Sequence, residues 1–143
     1  MKNKIIFIFV FLVFLTSCTK YQTIFIDTGE GKEIKIKAEL ADTQEKKERG
    51  LMFRESLKEN SGMFFTFDND ATFNFWMKNT LIPLDIIFLS KDFVIVEIIH
   101  AEPCKEEPCE TYSTEKYSRY ILEVNGNFTA NNNIEVGDRI IRE

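Results

Sequence analysis

The amino-acid sequence predicts a mostly β domain, α+β only at the margin, and three observations carry that prediction. Short segments rich in β-branched and aromatic residues recur along the chain, several alternating with period two. Turn signals separate them: Thr28-Gly29-Glu30-Gly31, Ser90-Lys91-Asp92 and Asn125-Gly126. The clearest helix start is Asp42-Thr43, ahead of Gln44 to Arg49, where a capping residue precedes an acidic first turn.

At the N-terminus, Lys2 and Lys4 precede an unbroken apolar run from Ile5 to Leu15, the arrangement of a secretory signal. The run is too short for a permanent membrane span. It ends in Leu15-Thr16-Ser17-Cys18, which resembles the lipobox of bacterial lipoproteins, with residues 1–17 as the signal peptide. That resemblance implies acylation (palmitate among the chains) of Cys18 as the new N-terminus, and more than one acyl chain suffices for stable anchoring. The expected location is the bacterial cell envelope. Thr19 lacks the aspartate that resembles an inner-membrane retention signal, so the outer membrane is favoured where two membranes exist.

Residues 18–143 form a chain of 126 residues, enough for one core. Residues 18–22 read as the lipidated end and a short tether, and residues 23–143 as a single domain. Without Lys2 and Lys4 the chain carries 16 basic and 23 acidic side chains, net −7. An acidic surface argues against nucleic acid as a partner. Cys104 and Cys109 remain as an exported thiol pair, which predicts a disulfide. A metal site of His100 with both sulfurs competes with it, but no fourth ligand is evident. No metal or other cofactor is expected.

The strands follow in order. Thr23 to Asp27 and Glu33 to Leu40 read as a hairpin, the second strand alternating Ile34, Ile36 and Ala38 against Lys35, Lys37 and Glu39. Gly50 ends the helix, and Ser61 to Phe67 enters the next strand. Phe73 to Lys78 puts Phe73, Phe75 and Met77 on one face and Asn74, Trp76 and Lys78 on the other. Leu84 to Ser90 is apolar except for Asp85, the pattern of a strand covered on both faces. Paired antiparallel, these two strands would set Lys78 opposite Asp85 and Trp76 opposite Ile87, with Arg49 or Glu123 completing a polar cluster. Phe93 to Ala101 forms a hairpin with the preceding strand. Arg119 to Asn125, one or two helical turns within Asn127 to Asn133, and a final turn and strand over Ile134 to Ile141 close the domain.

Arg49-Gly50-Leu51-Met52-Phe53-Arg54, Gly62-Met63-Phe64-Phe65, Phe75-Trp76-Met77-Lys78-Asn79-Thr80, Pro83-Leu84-Asp85, Leu122-Glu123-Val124-Asn125-Gly126 and Val136-Gly137-Asp138 resemble the DUF192 family. The resemblance spans about residues 35–142. It implies a small β-sandwich or barrel-like domain with one or two short helices, exported in many members, and it implies no reaction.

No serine or cysteine nucleophile lies at a recognisable spacing from a base. The binding candidates are therefore Arg49, Arg54, Trp76, Lys78, Asn79, Asp85 and Glu123. An anchored, acidic β domain with one tryptophan and these arginines reads as a module that binds a small molecule or an envelope protein. One alternative is a hydrolase using Asp85 and Glu123 as paired carboxylates. Another is a structural envelope protein with no ligand, in which both acids are bonded inside the fold.

Overall fold

A computed structural model describes residues 19–29 and 31–142. The predicted signal peptide and Cys18 lie outside the described residues. Nine strands and two short helices run in the order β1 (Tyr21–Asp27), β2 (Glu33–Ala41), α1 (Gln44–Arg49), β3 (Ser61–Ala71), β4 (Asn74–Trp76), β5 (Leu84–Leu89), β6 (Ile95–Ala101), β7 (Thr111–Ser113), β8 (Ser118–Asn125), α2 (Phe128–Asn132) and β9 (Arg139–Arg142). Among the described residues no helix is long and apolar enough to cross a membrane.

Seven strands form one sheet in the order β6-β5-β8-β3-β2-β1-β9. Neighbours are antiparallel except β2 and β3, which run parallel because α1 crosses between them. The sheet curls until its edges meet: Ile95 N donates to Asp138 O and Ile140 N to Phe93 O, each at 2.9 Å. The curl bonds only the start of β6 to the β9 end, and the outer edge of β6 beyond Ile95 has no strand neighbour among the described residues. The curl also separates two apolar cores. Ile24, Ile36, Phe64, Ile87, Leu122 and Ile140 fill the inside of the curl. Phe65, Ile86, Phe88 and Ile121 cover the outside of β3, β8 and β5, where Leu51 and Met77 cap them.

The expected pairing of the tryptophan strand with β5 is corrected. Both edges of β5 are taken, by β6 and β8, so β4 has no edge there to join. It pairs instead with β7, placing Trp76 opposite Thr111. The resulting two-stranded ribbon lies over the outer core through Phe73 and Phe75. Just beyond it, Asn79 adopts φ 59°, and its carbonyl accepts from Phe53 N at 2.8 Å, which ties the loop after β4 to the segment after α1.

Cys104 and Cys109 are bridged, with Cα atoms 5.4 Å apart. Lys78 reaches this loop: its Nζ lies 2.6 Å from Glu107. The predicted Lys78–Asp85 pair is therefore absent, each residue having found another partner.

Candidate functional site

Strand β8 alternates between the two cores, Leu122 and Val124 facing inward while Ile121 and Glu123 face outward. Glu123 sits mid-sheet, directly between Met63 of β3 and Ile86 of β5, so its cross-strand neighbours are apolar. The turn after α1 closes over it. A Cβ at Gly50, where φ is 49°, would lie 3.8 Å from Glu123 Oε2. Glu123 is only 6% exposed, and among the described residues its Oε2 has no hydrogen-bond partner. Burial pushes its pKa up to about 8, against the opposing field of Arg54, so the carboxyl is protonated at neutral pH.

Glu123 lines a cavity of about 270 Å³ between α1, the outer face of the sheet and the ribbon. Its walls are aromatic: Phe65, Phe67, Phe73, Phe75 and Trp76. Phe75 holds the group together, meeting Phe65 edge-on at 6.1 Å and Phe88 at 5.8 Å. Trp76 is 55% exposed and forms part of the wall while remaining in solvent. Lys47, Glu48 and Arg49 of α1 line the same space. Among the described residues, Arg49 takes part in no ion pair, whereas Arg54 is held by both oxygens of Glu39 at 2.5 and 2.8 Å.

Asp85 lies elsewhere. It is opposite Val124 on β8, whereas Glu123 is opposite Ile86, and facing residues of paired strands share a face. The two carboxylates therefore project from opposite sides of the sheet, so they do not form the acid–base dyad expected of a hydrolase. Asp85 is 1% exposed and fully bonded: Asn127 N donates at 3.0 Å, Thr129 N at 2.8 Å and Thr129 Oγ1 at 2.7 Å. His100 Nδ1 adds a fourth bond at 2.8 Å. Asp85 first, then Glu102 at Nε2, raises the His100 pKa above its ordinary value. These groups fasten β6 and α2 to β5. With both ring nitrogens bonded to carboxylates and Cys104 in a disulfide, the histidine–cysteine metal set does not assemble.

Of the predicted site residues, Arg49, Trp76 and Glu123 thus meet at one cavity. Arg54 stands behind it in an ion pair, Lys78 and Asn79 belong to the adjoining loop, and Asp85 belongs to a separate structural network. The aromatic wall was not foreseen as a cavity, although the alternation of Phe73 and Phe75 placed those rings together on one face.

A barrel-like sheet with an aromatic-walled cavity on its outer face defines a small β domain. The chain belongs to the DUF192 family, described as an uncharacterized ACR, whose model matches residues 25–141. A solved structure from Sinorhizobium meliloti 1021, a protein whose suggested role is transcription regulation, is similar with TM-score 0.82 and 28% identity. The match covers 88% of this chain and 96% of that one. A protein of unknown function from Novosphingobium aromaticivorans DSM 12444 is similar with TM-score 0.79 and 31% identity over 90% of each chain. No curated protein matches.

Proposed function

We propose that the protein is an exported, lipid-anchored module that binds a small molecule in the cavity beside Trp76. One observation carries this reading: a concave, mainly apolar space whose lining includes a buried acid with one oxygen unpartnered among the described residues. Among the described residues the other buried acid, Asp85, is satisfied by four bonds, whereas Glu123 keeps an unpartnered oxygen. The opposite-face placement of Asp85 and Glu123 disfavours the hydrolase alternative. A regulatory role on nucleic acid is not carried over from the Sinorhizobium protein, since a chain of net charge −5 repels phosphate backbones.

The anchor rests on the residue pattern from Lys2 to Cys18. Thr19 lines a second groove with Arg49, Met52 and Phe53, and Arg49 and Met52 also line the cavity. Acylation of the preceding residue would accordingly hold the cavity mouth near the bilayer. Cys18→Ala is expected to move the protein from the membrane to the soluble fraction. Continued sedimentation of that variant with membranes would overturn the anchor.

Trp76 is the only tryptophan, so its emission reports on the cavity without labelling. A panel of small organic molecules titrated into the intact protein is expected to yield compounds that change Trp76 emission and raise the melting temperature. Trp76→Ala should abolish that stabilisation while costing little by itself, because an exposed side chain contributes within about 0.5 kcal/mol. A panel that produces neither response would count against the binding reading.

A further inference from the structure

We propose that the cavity takes a small organic cation, an amine with an apolar or aromatic body whose ammonium group bonds to Glu123. This deepens the reading of the same cavity as a binding site and rests on it. Five aromatic rings and a carboxyl line the same cavity, a combination suited to an ammonium ion, since ring faces attract cations and an ionised acid supplies the counter-charge. Rings of this cluster already hold cations: Lys47 Nζ lies 4.5 Å from the Phe67 centroid and Lys78 Nζ 5.7 Å from that of Trp76. The unpartnered Oε2 of Glu123 is the acceptor an N–H donor would complete. A volume of about 270 Å³ holds on the order of ten non-hydrogen atoms of a guest.

Two cations and one acid of α1 line the cavity, so a bound ammonium depends on the Glu123 carboxylate for its counter-charge. Met63 on β3 and Ile86 on β5 flank it without charge, and β4 contributes Phe75 and Trp76. Arg54 is the cation whose field reaches Glu123, and its charge is matched by Glu39. Lys47 and Arg49 on α1 line the cavity together with Glu48. In the free protein Glu123 holds its proton. Entry of an ammonium favours the carboxylate, so the proton leaves to solvent and an ammonium–carboxylate pair forms, with no net change of charge in the cavity.

Phenethylamine, 2-phenylethanol and 3-phenylpropanoate form a cationic, neutral and anionic set of nearly equal shape. The experiment titrates each into the intact protein by calorimetry at pH 6, 7 and 8, in two buffers of different ionisation heat, with Trp76 emission followed in parallel. Phenethylamine is expected to bind most tightly, to release close to one proton at pH 7, and to gain about tenfold in affinity from pH 6 to 7 and about fivefold from pH 7 to 8. Glu123→Gln, which keeps shape and removes the charge, should weaken it at least tenfold with the melting temperature undiminished. Tighter binding of the alcohol or the acid with a Trp76 response would overturn the cation while leaving the cavity a binding site. Full amine affinity in Glu123→Gln would overturn the role of Glu123. No binding of any of the three would overturn the cation, and the broader panel then decides whether the cavity binds anything.

Discussion

Asp85→Ala is expected to cost about 3–5 kcal/mol of stability, the range for removing one partner from a buried charged network. The aspartate accepts from Asn127 N, Thr129 N, Thr129 Oγ1 and His100 Nδ1. Alanine would leave the amide and hydroxyl of Thr129 without acceptors in a site that excludes water, and it would release the start of α2 from β5. At about 4 °C per kcal/mol for a domain of this size, the melting temperature should fall by about 12–20 °C in scanning calorimetry. A change of less than about 1 kcal/mol would contradict the structural role assigned to Asp85. The same network carries a pH signature. The folded-state pKa of His100 is raised above its unfolded value, so its contribution is fully present below the ordinary histidine range and is lost as pH rises through the folded value. Asp85→Ala should weaken that dependence, leaving the part that Glu102 supplies.

Glu123→Gln is expected to act in the opposite direction and stabilise the protein at neutral pH. The folded chain holds the Glu123 proton up to about pH 8, whereas the unfolded chain releases it near 4.5. Between those values folding takes up a proton, so stability falls as pH rises and levels off above the folded pKa. Glutamine has the neutral shape at every pH. Its advantage at pH 7 is on the order of 3 kcal/mol, which is 1.36 kcal/mol for each pH unit above the unfolded pKa. Denaturant unfolding of both proteins at pH 5 and pH 8 measures this: the curves should nearly coincide at pH 5 and separate by pH 8, with the variant the more stable. A less stable variant at pH 8 would mean that the carboxylate is ionised and paired. The predicted gain places Glu123 among residues kept at a cost to stability, which is the usual position of a ligand-binding group.

Much of this architecture is legible in the residues, and the parts that are not have identifiable causes. The hairpin of β1 and β2, the cap at Thr43 and the strands around Phe64, Ile87 and Leu122 follow from period-two patterning and turn chemistry, which act locally. The partner of the Trp76 strand is not local. A three-residue strand carries no register information of its own, and its neighbour was decided by which edge remained free, namely that of β7. The Asp85–His100 pairing shows a finer limit. The five residues from Ser90 to Val94 set Leu89 against Ile95, but a bulge between Phe88 and Leu89 shifts the register by one residue and brings His100 opposite Asp85. Glu123 gave a partial signal. It shares a face with Ile121, which implies cover on both sides of β8, yet only the tertiary path of Gly50 and the ribbon creates the cavity.

The central claim is that a neutral, unpartnered carboxyl lines an aromatic cavity, and its own titration is the most direct test. Carbon-13 labelling of glutamate, with Glu123→Gln assigning the resonance, follows the side-chain carboxyl from pH 3 to pH 10. The account predicts a midpoint near 8 for Glu123 in the free protein, moving down when phenethylamine is added. A midpoint in the ordinary carboxylate range, near 4.5 and unmoved by the amine, would contradict it.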